Sequence, residues 1–206
     1  RNDILTKRIQ KTLAKMPRLT RSLAPYRQKV LALRVKFWPG ALHGCEACQV
    51  SVEYLKKLRT SAVRGLRAKF NGTNPGIHLS IVETPLTDPW FYSLWACVTE
   101  DRKLYATDFD SRCGWEYVHD TYLGKYSDGP AGSLLAAAHS LGWTVDRGLW
   151  ITTRQHFLLH LVNANKTLLF ALATEDWQFA VASQVRRRDF DGLHGVSIYA
   201  TFASWD

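Results

Sequence analysis

The sequence lacks several features that would assign it to a familiar class of protein. It has four cysteines in 206 residues, too few for the disulfide scaffold of a small secreted domain. No apolar run approaches the roughly 18 residues that a membrane-spanning helix needs. No two aspartates are adjacent, and there is neither a Gly-x-Ser-x-Gly motif nor a phosphate-binding glycine loop. These absences argue against a disulfide-rich module and a membrane protein, and they leave no complete catalytic motif.

What is present is typical of a folded globular chain. Hydrophobic residues make up 46% of the sequence and aromatic residues 12%, which is enough for a core in one large or two small domains. The chain begins at Arg1 without a methionine or an apolar signal segment. We therefore expect a piece of a longer, intracellular polypeptide, whose compartment cannot be inferred from this start.

Charge is distributed very unevenly along the chain. Residues 1–70 contain 17 of the 27 lysines and arginines but three of the 18 acidic residues. Residues 71–206 contain the other ten basic residues and 15 acidic ones. This asymmetry predicts a basic module, residues 1–70, that meets a polyanion, followed by an ordinary domain over residues 71–206.

Residues 1–70 predict three helices. The first covers residues 3–15 and is stopped by Pro17, because proline disrupts a helix interior. The second begins near Thr20 or Ser22 and is ended by Trp38-Pro39-Gly40. Its buried stripe is Leu23, Tyr26, Val30, Leu33 and Phe37. The third covers residues 51–70 and buries Val52, Leu55, Leu58, Ala62 and Leu66.

The break at residues 71–76 coincides with the change in charge sign, and further helices are predicted beyond it. They cover residues 88–105, where Asp88-Pro89 provides a cap, and residues 115–123, 129–141 and 164–188. Residues 143–161 are rich in β-branched and aromatic side chains and predict a small hairpin with room for a third strand. The fold class is therefore mainly α: a basic three-helix module, then a helical domain with a small β element.

The basic residues of the first module are the best candidates for a binding site. They are predicted to lie opposite the apolar stripes, so that packing the three helices leaves them facing outward. The candidates are Arg8, Lys11, Lys15, Arg27, Arg34, Lys56, Arg64 and Arg67. Such cations can neutralise phosphates and release counterions, which gives sequence-independent binding of nucleic acid. A surface for an acidic protein partner is the alternative.

Two clusters could hold a metal ion. Cys45 and Cys48, with His43 nearby, have the spacing of zinc ligands, but no second Cys-x-x-Cys pair completes four ligands, which favours small buried thiols. Asp108 and Asp110 could bind Mg²⁺ in a nuclease, yet they follow a predicted helix, which favours an acidic turn at its end. We predict no metal site and no cofactor.

The histidines form no evident site. His156 and His160 would share one side of a predicted strand without an acid at a useful offset, so neither is a predicted ligand.

Parts of the chain resemble the thumb-like segment that follows the palm in reverse transcriptases of non-LTR retrotransposons. The matching pieces are Lys29-Val30-Leu31-Ala32-Leu33-Arg34, Trp38-Pro39-Gly40-Ala41-Leu42-His43-Gly44 and residues 55–67. Two departures stand out: His43 replaces an aromatic residue, and a cysteine pair replaces the common Glu-x-Trp.

The later part is similar to regions that follow the polymerase in retroelement polyproteins of dinoflagellate-type protists. The matching pieces are residues 79–83, Asp88-Pro89, Gly129-Pro130, Leu141-Gly142-Trp143, Trp177 and residues 186–193. Polymerase chemistry needs an Asp-Asp hairpin, which this chain lacks. The resemblance therefore implies a non-catalytic fragment of an RNA-directed DNA polymerase, located in the nucleus, with its catalytic palm upstream in the same polypeptide.

The sequence thus predicts a non-catalytic chain that grips template and primer, as RNA or RNA–DNA duplex, through phosphate contacts. Two alternatives remain open: a helical protein-interaction domain with a basic docking face, and a metal-dependent nuclease that uses Asp108 and Asp110.

Overall fold

The structure of the protein is a computed structural model, and it describes residues 3–66, 74–82, 84–122 and 129–190. The fold is mainly helical with one small antiparallel sheet, which confirms the predicted fold class. The helices are α1 (Asp3–Arg21), α2 (Tyr26–Ala32), α3 (Trp38–Leu42), α4 (Val52–Leu66), α5 (Pro75–Val82), α6 (Pro89–Thr107), α7 (Phe109–Tyr122), α8 (Pro130–Leu141) and α9 (Lys166–Phe190). The strands are β1 (Thr144–Val145), β2 (Trp150–Thr152) and β3 (Leu158–His160).

The prediction that Pro17 ends the first helix is wrong. Helix α1 continues past this proline to Arg21. The residues on either side explain why, because Met16 and Leu19 are both buried in the core. Leu19 also packs against Gly65 of α4, where a Cβ would lie 3.0 Å from its side chain. Packing of this apolar face outweighs the cost of a proline in the helix.

The second predicted helix is divided into three pieces. Helix α2 passes into a π-helical turn over Leu33–Phe37 and then into α3, so Trp38-Pro39-Gly40 begins a short helix instead of ending one. A π-turn adds a residue to the helical repeat and shifts the face on which later side chains lie. The predicted apolar stripe fails at its start, before the π-turn: Tyr26 is 41% exposed, whereas Leu33 is buried and Val30 and Phe37 pack against the same core. Leu23, at 102% exposure, precedes α2 altogether.

Helix α4 follows the predicted pattern over most of its length. Leu58, Ala62 and Leu66 are buried as expected, and Val63 joins them. Val52 is 65% exposed, because the helix begins there and its first turn projects beyond the core. Residues 67–70 of the predicted helix lie outside the described residues.

The C-terminal helices begin and end close to their predicted limits. Asp88 caps α6 by accepting a hydrogen bond from the Trp90 amide at 2.7 Å, and Pro89 occupies the first helical position. Helix α8 ends at Gly142, whose left-handed φ of 74° is the conformation expected of a C-terminal glycine. Helix α7 is longer than predicted, because it starts at Phe109, directly after α6.

The sheet joins its strands in the order β1-β2-β3, all antiparallel. Val145 of β1 faces Ile151 of β2, which in turn faces Leu159 of β3. Ile151 is fully buried against the helices, whereas Trp150 is 43% exposed on the opposite side. The predicted hairpin and its third strand are therefore both present.

Buried apolar side chains form two clusters. The first joins α1, the π-turn, α3 and α4, and the second joins α6 to α9 with the sheet. Leu79 of α5 belongs to the first cluster although it lies beyond the predicted boundary at residue 70. The division into domains 1–70 and 71–206 stays a prediction. None of the described helices combines the length and apolar composition that crossing a membrane requires.

Candidate nucleic-acid interface

Helix α1 presents cations on the side away from its buried residues. Lys11 and Lys15 are both exposed, as predicted. Arg8 lies nearer the core: it is half-buried, and its guanidinium Nη1 donates a hydrogen bond to the carbonyl oxygen of His43 at 2.7 Å. The expectation that Arg8 faces outward is therefore wrong, because this arginine fixes the loop after α3.

Helix α4 adds further exposed cations. Lys56 and Arg64 are exposed, as the sequence predicts, while Arg67 lies outside the described residues. Lys57, which sequence reasoning did not select, is exposed as well, and its ammonium lies 5.4 Å from the centre of the Tyr54 ring. Its position, one residue beyond Lys56 and seven before Arg64, places it on the same side of the helix as Arg64.

Contacts between α1 and α4 place most of their exposed cations on one surface. The Gln10 side chain donates a hydrogen bond to the Tyr54 hydroxyl at 3.1 Å near one end, and Leu19 packs on Gly65 near the other. The two helices therefore run parallel, because the later residue of α1 contacts the later residue of α4. We define the basic surface as the exposed cations of α1 together with those on the same side of α4: Lys7, Lys11, Lys15, Arg18, Arg21, Lys57 and Arg64. Lys56 is on the opposite side of α4, where it lines a cleft.

The members of the basic surface are free to meet an external anion. None of them forms an ion pair with another described residue. The acidic side chains of α1 and α4 within the described residues are Asp3 and Glu53. Because seven cations face two carboxylates, the potential over this surface is strongly positive.

Arg27 and Arg34 belong to a different place in the molecule. They line a shallow cavity of about 350 Å³ on α2 and the π-turn, together with Tyr26, Val30 and Leu31. Arg27 is exposed. Arg34 is half-buried, and its Nε has no hydrogen-bond partner among the described residues. The structure brings these two arginines to one cavity, which none of the described cations of α1 lines.

Arg59 is the cation that sequence reasoning missed. Its guanidinium binds both carboxylate oxygens of Asp88, with distances of 2.5–2.9 Å, and it lies 4.8 Å from the centre of the Trp90 ring. Asp88 is fully buried, so this pair is a structural link between α4 and the start of α6. The sequence did contain an indication of this pairing: Arg59 lies beside the apolar residues Leu55, Leu58 and Ala62 on the helix, and an arginine on an apolar face needs a buried partner.

The cysteines and acids considered as metal ligands have other partners. Cys45 is buried and its thiol contacts the Ser93 carbonyl oxygen at 3.9 Å, while Cys48 donates to the Gly44 carbonyl oxygen at 3.4 Å. Asp108 caps α7 by accepting from the Asp110 amide at 3.2 Å. In the described part of the chain, no three His, Cys, Asp or Glu side chains are grouped as a metal site requires.

The two spaced histidines do not share a strand. His160 is in β3, where its ring packs edge-on against Trp150 at 5.2 Å between centroids. His156 lies in the preceding turn with a left-handed φ of 65°, so its predicted position in a strand is wrong.

The buried carboxyl group of Asp101 has a strongly raised pKa. Burial, with smaller contributions from the negative charges of Glu46 and Glu100, raises the pKa of Asp101 to about 8. Its Oδ2 has no hydrogen-bond partner among the described residues. Burial likewise raises the pKa of Tyr92 and of Tyr105, which share this region. Tyr105 belongs to the second apolar cluster and Tyr92 packs against the first, so we assign these groups to the packed interior and not to a binding site.

No protein-family model, curated protein or solved structure matches this chain. The resemblance to reverse transcriptases of non-LTR retrotransposons therefore stays a prediction, and function has to be argued from the surface itself.

Proposed function

We propose that the N-terminal helices bind a nucleic acid duplex, RNA or RNA–DNA, through its phosphates. The observation that carries the proposal is the basic surface: seven exposed cations without ion pairs, on two helices packed side by side. A duplex presents phosphates at regular intervals, so a rigid array of cations can neutralise several at once. Contacts of this kind fix the position of a duplex without reading its sequence.

The resemblance to the thumb-like segment supports a wider proposal. In it, the chain is the non-catalytic part of a reverse transcriptase and holds template and primer, while a palm elsewhere in the same polypeptide supplies the catalytic carboxylates. The absence of an Asp-Asp pair from the sequence is consistent with this division of roles.

The test is equilibrium binding of a fluorescent RNA–DNA duplex to the full chain at several salt concentrations. The test variant changes Lys11, Lys57 and Arg64 to glutamine. The matched control changes Lys103, Arg147 and Lys166 to glutamine, which removes the same net charge from the C-terminal part. A plot of log K against log salt has a negative slope, and each lost phosphate contact should make it less steep by about 0.9.

We expect the test variant to lose up to three such contacts and the control to bind as the unaltered chain does. Equal losses in both variants would show that only net charge matters. Binding that does not depend on salt would overturn the proposal.

A second candidate is a docking surface for an acidic protein, and the side chains around α2 favour it. Leu31 and Val35 are 55% and 67% exposed and lie among Arg27 and Arg34. A surface that mixes apolar side chains with cations fits a protein partner better than a phosphate backbone, which offers no apolar surface. Changing Arg27 and Leu31 to serine should then abolish capture of the acidic partner while duplex binding stays intact. The nuclease alternative has less support, because Asp108 is engaged in capping α7.

A further inference from the structure

A cleft separates α4 from the helices of the C-terminal part. Its volume is about 420 Å³, and its walls come from α4, α5, α6, α8 and α9. A smaller inner pocket of about 170 Å³ adjoins it and shares Val52, Leu55, Trp90 and Ser140 with it. The outer volume alone falls within the range of small-molecule sites, about 300–1,000 Å³.

Among the described residues that line the outer cleft, one cation has no ion pair. Lys56 lines this cleft, is exposed, and forms no ion pair with another described residue. Arg59 also lines the cleft, but its charge is neutralised by the bound carboxylate of Asp88. An anionic group that entered the cleft would therefore be attracted to the Lys56 ammonium.

The inner pocket contains a hydroxyl without a partner. Ser133 lines this pocket and is 3% exposed, and its Oγ has no hydrogen bond within the described part of the chain. A helical serine commonly donates its hydroxyl to the carbonyl four residues before it, as Ser140 does to Ala136. At Ser133 the amide makes the ordinary helical bond to the Gly129 carbonyl oxygen, and the hydroxyl makes no bond to a described residue. Buried polar atoms are rarely left unsatisfied, so Ser133 indicates a missing hydrogen-bonding group.

Neighbouring side chains define the shape and polarity of that missing group. Trp90 lines both cavities and offers an aromatic surface, of which the Arg59 guanidinium covers part. Ser93 and Ser140 donate to backbone carbonyls of their own helices and keep their acceptor capacity toward the inner pocket. A plain hydrocarbon tail would leave Ser133 unsatisfied, whereas a ring with donors and acceptors would pair with it.

We propose that this cleft binds a nucleoside monophosphate unit. The phosphate lies at Lys56, and the base enters the inner pocket beside Trp90 and hydrogen-bonds with Ser133. The unit is either a free nucleotide or an unpaired nucleotide at the end of a nucleic acid strand, since both carry the same phosphate, sugar and base. For the free nucleotide the inference is independent of duplex binding, and for the strand end it rests on the proposed function.

The first experiment is calorimetric titration of the full chain with AMP and UMP, and with decanoate as an apolar anion. Lys56→Gln removes the cation, and Ser133→Ala removes a hydroxyl that no described residue uses. Lys57→Gln is the matched control, because Lys57 is adjacent and exposed but does not line the cleft. Thermal unfolding of each variant establishes that it is folded.

We expect a nucleotide to bind, with Kd rising roughly tenfold in Lys56→Gln and roughly three- to tenfold in Ser133→Ala. Lys57→Gln should bind nucleotides unchanged. The proposal is overturned if neither nucleotide binds at millimolar concentration, if decanoate binds better, or if Lys57→Gln loses as much affinity as Lys56→Gln. Because Lys57 belongs to the basic surface, loss of duplex binding in that variant with nucleotide binding intact separates the two proposals.

The second experiment distinguishes the two sources of the nucleotide. A duplex with a single-stranded 3′ overhang is compared with a blunt duplex of the same length. If a strand end occupies the cleft, the overhang tightens binding and Ser133→Ala removes the gain. If the ligand is a free nucleotide, the overhang changes nothing, while Ser133→Ala still weakens AMP or UMP. An overhang gain that Ser133→Ala leaves intact, with nucleotide affinity also intact, contradicts both.

Discussion

The two parts of the described chain are both helical, yet they use charged side chains in opposite ways. In the C-terminal part, several cations form ion pairs within the fold: Arg147 binds Glu116 at 3.0 Å, and Arg154 binds the buried Asp176 at 2.9 Å. In the N-terminal part, Arg59 is paired and the cations of the basic surface are not. A charge that stabilises nothing in its own fold is available to a partner, and this contrast is the basis of the proposed function.

Their cores differ as well. Trp38 is the fully buried aromatic residue of the first cluster, whereas the second is built around Phe91, Trp115 and Trp177. The aromatic rings of the second cluster contact one another, with Phe91 and Trp177 centred 5.1 Å apart. The N-terminal helices thus have the smaller aromatic core and the more highly charged surface. Their attachment to the C-terminal part is therefore the first feature to test.

The largest effect is expected where the two parts meet. Asp88→Ala removes the carboxylate that pairs with Arg59 and leaves a largely buried guanidinium without its counter-charge. Breaking a buried pair in this way costs about 3–5 kcal/mol of unfolding free energy, measured by urea denaturation. Asp110→Ala, at an exposed carboxylate, should change it by less than about 0.5 kcal/mol. A loss below 1 kcal/mol for Asp88→Ala would mean that the pair does not hold the parts together.

The second test lies within the N-terminal part and compares two leucines of the predicted stripe. Leu33 is fully buried, so Leu33→Ala should lower the unfolding free energy by about 2–5 kcal/mol. Leu23 is fully exposed, and Leu23→Ala should change it by less than about 0.5 kcal/mol. Similar losses of unfolding free energy at both positions, measured by the same denaturation, would mean that both leucines are buried, as the predicted continuous helix requires.

These leucines show what could be predicted from the sequence. Capping rules placed the start of α6 at Asp88 and the end of α8 at Gly142, because such signals act over a few residues. Periodicity failed at Leu23 and Tyr26, which lie before or at the start of α2. Pro17 was misjudged because packing of the buried Met16 and Leu19 outweighs the local effect of a proline.

The candidate site was predictable only in part, for a similar reason. Exposure of Lys11, Lys15, Lys56 and Arg64 follows from helical spacing alone. The cleft unites Lys56, Trp90 and Ser133, which are distant in sequence, so no local pattern could predict it. Arg8 was misassigned because its partner, the His43 carbonyl oxygen, comes from a loop 35 residues away.

The third test concerns Asp101 and the way in which the stability of the chain depends on pH. The folded pKa of Asp101 is about 8, above the usual value of 3.8 for an aspartate, so near pH 7 the folded chain holds a proton that the unfolded chain releases. This group therefore lowers stability progressively as pH rises from about 4 to 8. Asp101→Asn should stabilise the chain at pH 7 by on the order of 2 kcal/mol, since the amide needs no proton uptake on folding but remains buried.

Thermal unfolding of both chains at several pH values checks this expectation. The stability gained by Asp101→Asn should shrink toward zero near pH 4, where both states of the unaltered chain are protonated. A gain that is independent of pH would show that the carboxyl ionises normally and that the substitution acts through packing.

The smallest expected effects separate the cations of the N-terminal part from one another. Lys11→Gln should leave the unfolding free energy unchanged and lower the salt slope of duplex binding by about 0.9, the value for one phosphate contact. Arg8→Gln should do the reverse: it removes the hydrogen bond to the His43 carbonyl oxygen, costs about 1 kcal/mol of stability, and leaves the slope unchanged. Denaturation and salt titration of the two variants therefore decide which cations belong to the interface. If Arg8→Gln lowers the slope as much as Lys11→Gln without loss of stability, the Arg8 guanidinium leaves its loop to contact phosphate, and the interface extends around α1 as the sequence predicts.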